Sequence, residues 1–306
     1  MTNPVIPLTP AGQSPGALPV FERIGIIGLG LIGGSVALAA RGIWPSGLVI
    51  GVDRNEVLER AVARHAIDVA ASDPAIVSEA DVVILAAPVL QNIEILHRLP
   101  DYVDKPVIVT DVGSTKRAIV RAAATLPPRF TFIGGHPLAG STHSGIEAAR
   151  PDLFAGRPWL FAGAGGEASG EPREEALRRL FRFVQALGAA PHVVDAEAHD
   201  RLVAFISHLP QLAASALMQA VGDAAGEEGL ALAGRGLIDT TRLAGSPAEM
   251  WADICTSNAD EIGLAIDTLV GLLRQVRLGL QDREAIARLF DAARRWREAL
   301  VRVDSR

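Results

Sequence analysis

The chain has a single cysteine, Cys255, in 306 residues. That excludes an internal disulfide framework and suits a reducing compartment, with Cys255 expected as a small buried apolar side chain. Metal motifs are missing as well. Neither H-E-x-x-H nor C-x-x-C occurs, and His136 and His143 lack the spacing of a ligand pair, so no metal is expected. Lysine and arginine number 29 against 35 aspartates and glutamates, a net charge of −6, and no basic block is interleaved with aromatics. Nucleic acid is therefore not an expected partner. The first twenty residues, MTNPVIPLTPAGQSPGALPV, hold five prolines and no charged side chain. They lack the basic start and unbroken apolar stretch of a secretory signal, so residues 1–20 read as a disordered or surface-draped tail of a cytoplasmic protein. Long apolar runs are scarce. Ile24 to Ala40 is uncharged between Arg23 and Arg41, but Gly28, Gly30 and Gly33 divide it into a β-rich half and an alanine-rich half, which argues against a membrane span.

What is present is a globular composition, 49% hydrophobic and 21% charged. The length exceeds the roughly 250 to 300 residues at which single cores stop growing, so two domains are expected. GLGLIG, Gly28 to Gly33, fits G-x-G-x-x-G in its full context: an apolar strand before it, a helix after it, and a second strand, LVIGVD, ending at Asp53. Two glycines of such a turn let the backbone approach a pyrophosphate, the third lets helix and strand pack, and the helix N-terminus faces the anion. Asp53 is placed to hold the adenosine ribose hydroxyls and to repel a 2′-phosphate. NAD is thus favoured, while the adjacent Arg54 leaves NADP open. Further strands, ADVVILAAP, VIVTDVG and FTFIGGHP, alternate with helical segments, which predicts a doubly wound α/β sheet with a ligand cleft beyond the strands' carboxyl ends. The cofactor set expected along that cleft is Gly28, Gly30, Leu31, Ile32, Gly33, Asp53, Arg54, Ala87 and Pro88.

The stretch GGHPLAGSTHSG, residues 134 to 145, sets His136 between glycines and a proline. It reads as a loop that fixes the position of one imidazole. In TDVGSTK, residues 110 to 116, Ser114 reads as a helix N-cap, which puts Lys116 in the first turn, either solvated or providing a positive field for an anion. A helix over 173–187 and a last strand, APHVVD, close the dinucleotide-binding domain, expected over 21–194, and a helical domain is expected over 195–306. Leu202, Phe205, Ile206 and Leu209 carry helical apolar spacing. Pro210 predicts a kink near Ser207 and His208, with Ser207 and Gln211 on one face. Ser246, Pro247 and Glu249 form a capping box that starts the helix bearing Trp251. Asp239 and Arg242 precede it, and an arginine there offers a bidentate clamp for a carboxylate.

Taken in order, GLGLIGGS, DVGSTK, GGHPLAGSTHSG, HDRLVAFISHLPQ and IDTTRLAGSPAEMW resemble the prephenate and arogenate dehydrogenase family of tyrosine biosynthesis, from about Arg23 to Trp251 and less distinctly beyond. The resemblance implies a Rossmann-like domain followed by an all-α domain that dimerises. It implies that His136 meets the substrate's ring hydroxyl during hydride transfer to NAD, that Ser114 orients both, and that Ser207, Gln211 and Arg242 lie near substrate. Two departures bear on the substrate. Gln211 stands where some members have histidine, and Thr142 where some have an acidic residue. Prephenate is expected over arogenate because no carboxylate sits beside Gln211 to meet an ammonium, Asp239 being the residue able to reverse this. Competing readings are a hydroxy-acid dehydrogenase or imine reductase, and a nucleotide-binding regulator without catalysis. His199 next to Asp200 is a weak match to metal phosphohydrolases.

Overall fold

In the computed structural model, which describes residues 18–141, 143–163 and 171–304, the glycine turn sits at the head of a sheet-and-helix layer structure. The strands are β1 (Arg23–Ile27), β2 (Leu48–Val52), β3 (Val69–Ala71), β4 (Val82–Leu85), β5 (Val107–Asp111), β6 (Phe130–Pro137), β7 (Pro158–Ala162) and β8 (Ala190–Val194). Among the described residues they form one sheet in the order β3-β2-β1-β4-β5-β6-β7-β8. β1, β4 and β5 are nearly continuous apolar runs because helices cover both faces, as parallel sheets require. One apolar cluster gathers side chains from α1 (Leu31–Ile43), α2 (Asn55–Ala63) and α5 (Glu171–Ala186). A second gathers those of α3 (Val89–Arg98) and α4 (Arg117–Ala123). The doubly wound α/β plan is thus realised.

Two strands lack a strong local signal. β3 is three residues long, and β7 pairs antiparallel with β6, matching Gly135 with Phe161 and His136 with Leu160. That pairing corrects the expectation of a loop at His136. The imidazole is carried by the last residues of a paired strand, a stiffer mount than a loop. Gly135 is demanded by close approach, since a Cβ there would lie 2.5 Å from the Asp111 carbonyl oxygen.

By contact, the chain divides into Met1–Asn258 and Ala259–Arg306. The expected boundary at 194/195 falls between β8 and α6 (Ala196–Val203), and packing continues across it. After a π turn at Ala204–His208 the first unit continues with α7 (Leu209–Leu230), α8 (Arg235–Thr241) and α9 (Ala248–Ser257). The second unit consists of α10 (Ala259–Leu278) and α11 (Arg283–Asp304). By length and apolarity alone, Ala196–Leu230 is sufficient to cross a membrane. It nevertheless buries His199, Asp200, His208 and Gln211 among protein partners, as a helix folded into a polar-lined core does.

Candidate active site

A cavity of about 630 Å³ opens at the carboxyl ends of β1, β4, β5 and β6. Gly30, Leu31, Ile32, Ala87 and Pro88 form one part of its wall, and Ser114, His136 and Ser207 another, so these expected site residues are brought together. Each glycine of the turn has its own reason. Gly28 has φ +98°, and a Cβ on it would lie 2.6 Å from the Ala86 carbonyl carbon. A Cβ on Gly33 would strike the Gly28 carbonyl oxygen at 1.9 Å, whereas one on Gly30 would meet no protein atom within 4 Å. Gly28 and Gly33 therefore serve the fold, and Gly30 keeps the cavity wall low. The N-terminus of α1 has no side-chain cap, so its donors suit a pyrophosphate. Asp53 directly follows β2 and accepts from the Leu29 N–H at 2.7 Å and the Arg54 N–H at 2.7 Å. It ties the turn to β2, and it stands with Gly28, Gly33 and Arg54 outside the cavity lining. Asn92, which carried no signal, accepts from the Ala87 N–H and donates to the Leu85 carbonyl, holding the 85–87 turn.

His136 is buried, and its Nδ1 lies 2.9 Å from His199 Nε2. His199 in turn places Nδ1 2.7 Å from Asp200 Oδ1. Asp200 accepts three more hydrogen bonds, from the Lys116 N–H at 2.7 Å, the Arg117 N–H at 3.0 Å and Arg117 Nε at 3.2 Å. Burial pushes the Asp200 carboxyl up, but the bonds from His199 and the two backbone groups outweigh it and hold the carboxyl below its ordinary value. Burial also depresses His136 well below 6.5, with His199, Lys116 and His208 adding to the effect. The imidazole is thus a neutral base at physiological pH. His199 is likewise lowered by burial, against the opposing pull of Asp200.

Asp200 also corrects the reading of Ser114. The helix after TDVGSTK begins at Arg117 and has no side-chain cap from Ser114, because the Asp200 carboxylate takes its first N–H groups from across the fold. Ser114 is left on the cavity wall. Lys116 is neither solvated nor aimed at a ligand. It is fully buried and paired with Asp111, which also accepts from the Gly113 and Gly135 N–H groups. That pair knits the Ser114 segment to the His136 strand.

The kink expected at Pro210 takes the form of the π turn at Ala204–His208, closed by the Leu209 N–H on the Ala204 carbonyl. The turn shifts the helix phase. Leu202, Phe205 and Ile206, which carry the helical apolar spacing, are exposed, while His208 and Gln211 are buried. Burial lowers His208 to about 4, with Asp200 opposing and His199 assisting, and its ring stands edge-on to Trp251. Gln211 does not share the cavity with Ser207. Its amide donates to the Leu243 carbonyl at 2.7 Å and accepts from the Ser246 hydroxyl at 3.1 Å. Ser246 is therefore no helix cap; α9 starts at Ala248 behind Pro247, and no capping box forms. Arg242 and Asp239 are exposed and outside the lining. The acidic side chain that does line the cavity is Asp253, one turn along α9 from Met250 and beside Trp251. Thr142 lies outside the described residues.

A pyrophosphate-accepting turn and a neutral buried base on one cavity put the protein among the NAD-dependent oxidoreductases. Its sequence narrows the class. The family model for the prephenate dehydrogenase nucleotide-binding domain matches residues 36–190, and that for the prephenate dehydrogenase dimerization domain matches 195–292. The prephenate dehydrogenase of Lactococcus lactis subsp. cremoris is 34% identical over 287 residues, 92% of this chain and 78% of the relative. Among solved structures, A. aeolicus prephenate dehydrogenase in complex with hydroxyphenyl propionate and NAD+ superposes with a TM-score of 0.81 at 28% identity, covering 91% of this chain and 98% of that one. Synechocystis arogenate dehydrogenase gives 0.74 at 30%, covering 91% and 99%. The chain belongs to the prephenate dehydrogenase family.

Proposed function

We propose that this chain converts prephenate to 4-hydroxyphenylpyruvate and carbon dioxide, with NAD as oxidant. The observation that carries the reading is the His136 ring, held by Nδ1 and turned neutral on a cavity that the Gly30 turn also walls. Gly30, Leu31, Ile32, Ala87 and Pro88 would hold the dinucleotide. Asp53 would meet the ribose, since each of its oxygens accepts one backbone bond and retains a second lone pair. The cofactor supplies an acceptor for hydride. His136 Nε2 takes the proton of the ring hydroxyl as the carbon beneath becomes a carbonyl, and it returns that proton once loss of carbon dioxide has made the ring a phenolate. Ser114, on the same wall, orients hydroxyl and imidazole, and Ser207 contacts the substrate from the π turn. Arg242 gains no support as a carboxylate clamp from the cavity lining. The protein is proposed to act in the cytoplasm as a homodimer, consistent with the match to a dimerization domain.

One observation favours a second reading. Asp253 supplies the carboxylate that an arogenate ammonium needs in a partly dry pocket, the role for which Asp239 is badly placed. NADH formation is to be followed with prephenate and with arogenate, each with NAD and NADP. A higher kcat/KM for prephenate with NAD is expected. A tenfold preference for arogenate, about 1.4 kcal/mol, that collapses in Asp253→Asn would transfer the assignment to arogenate. Higher kcat/KM with NADP would mean that Arg54 outweighs Asp53.

A further inference from the structure

The three side chains Asp200, His199 and His136 form a hydrogen-bonded line of 2.7 and 2.9 Å that runs from the start of α4 to the cavity wall, and proton positions along it follow one another. Asp200 is a carboxylate that already accepts from two backbone N–H groups and Arg117 Nε, so it has no proton to donate. The His199 nitrogen facing it, Nδ1, must therefore carry hydrogen. A neutral imidazole has one N–H, so His199 Nε2 is bare and accepts. The donor to it is then His136 Nδ1–H, and the hydrogen-free nitrogen of His136 is Nε2.

We propose that His199 and Asp200 are positioning residues that hold His136 in the Nδ1–H tautomer, keep its Nε2 free for the substrate hydroxyl, and support the imidazolium that forms when the proton arrives. The inference rests on the proposed role of His136. The proton comes from the substrate O–H, whose bonding pair remains on oxygen. As the imidazolium forms, its Nδ1–H bond to His199 strengthens, and Asp200 supplies the opposite charge behind His199. The charged and titratable groups facing this line are few. Lys116 and Asp111 lie beneath it as an internal pair, Arg117 binds Asp200, and His208 approaches from the π turn. Asp200 has a second, structural duty in starting α4, so the informative substitutions are at His199.

Two variants separate the functions of that ring. His199→Leu removes the acceptor for His136 Nδ1–H. His199→Gln restores an acceptor oxygen towards His136 and a donor towards Asp200, without a second ring to share charge. We expect His199→Leu to lower kcat on the order of 10²-fold, with KM and the NAD dissociation constant within about threefold of the parent, and His199→Gln to recover at least about tenfold of that loss. The tautomer is read without turnover, from the ring nitrogen shifts of 15N-histidine-labelled protein at pH 7. The parent should show His136 protonated at Nδ1, and the Leu variant a mixture. A parent protonated at Nε2 overturns the proposal even if the enzyme is active. So does a folded His199→Leu protein with kcat within threefold of the parent. Should neither variant fold, the parent spectrum alone decides. An Nδ1–H tautomer in a protein that turns over neither prephenate nor arogenate would leave the relay standing and refute the proposed reaction.

Discussion

His136 combines two properties that usually oppose each other: it is buried, which disfavours charge, and its proposed task is to become charged briefly. Its neighbours explain how both hold. Burial, with His199, Lys116 and His208, keeps the resting imidazole neutral, while Asp200 stands two bonds away to compensate the transient cation. In the proposed reaction the working form is the unprotonated one. Because the pKa is depressed, activity is retained as pH falls through 6.5 and lost only through the lower value. The acidic limb of the kcat/KM profile is therefore expected below pH 6.5, set by burial of the ring and by His199, Lys116 and His208, which all disfavour the imidazolium. His136→Asn should reduce kcat by about 10² to 10⁴ with unchanged NAD affinity by titration. A folded variant keeping half the activity would remove His136 from the chemistry.

At the level of elements, the turn between β1 and α1 separates glycines that the fold demands from one, Gly30, that lines the cavity and is proposed to serve the cofactor. Gly33→Ala forces a Cβ onto the Gly28 carbonyl oxygen, so β1 or α1 must shift; thermal unfolding should move down by several degrees, roughly the effect of overpacking by 1 to 3 kcal/mol. Gly30→Ala meets open space. Its melting temperature should match the parent, while NAD binding weakens about tenfold or more, about 1.4 kcal/mol. Calorimetric titration and a melting curve on both variants check the pair. Equal NAD affinity for Gly30→Ala and the parent would mean that the cofactor takes another path. The π turn is a second element whose geometry matters more than its composition: one extra residue in the ring turns Ser207 to the cavity and sends His208 and Gln211 inward.

For the whole molecule, the proposed homodimer needs an apolar surface, and the first unit offers exposed apolar side chains. Phe205, Leu217 and Ile238, on helical segments, and Leu232, in the turn between α7 and α8, are all more than a third exposed, and exposed large apolar residues that form a patch mark association surfaces. Light scattering should give twice the chain mass of 32.2 kDa. Leu217→Asp combined with Ile238→Asp should yield monomers, because charges buried at an interface without partners are costly. A double variant that remains dimeric would move the interface elsewhere on the chain.

Local sequence determined the glycine turn, the strand leading to Asp53, the order of parallel strands and helices, and the break at Pro210, because each depends on residues close together in the chain: glycine without Cβ, proline without N–H, apolar periods of one element. It also singled out His136, Ser114 and Ser207, which the fold gathers on one cavity. What lay beyond it were pairings over long separations. β7 turns Gly134 to Pro137 into a strand by antiparallel pairing, and nothing within GGHPLAG states that. Asp200 replaces Ser114 as the cap of α4 from 84 residues away and, through His199, sets the imidazole. Gln211 and Ser246 satisfy each other inside the protein, so neither performs the task its local pattern implied. Asp253 reaches the cavity because α9 packs there, while Asp239 faces outward. Hydrogen bonds and ion pairs between distant residues depend on where the chain returns, and that is decided by packing.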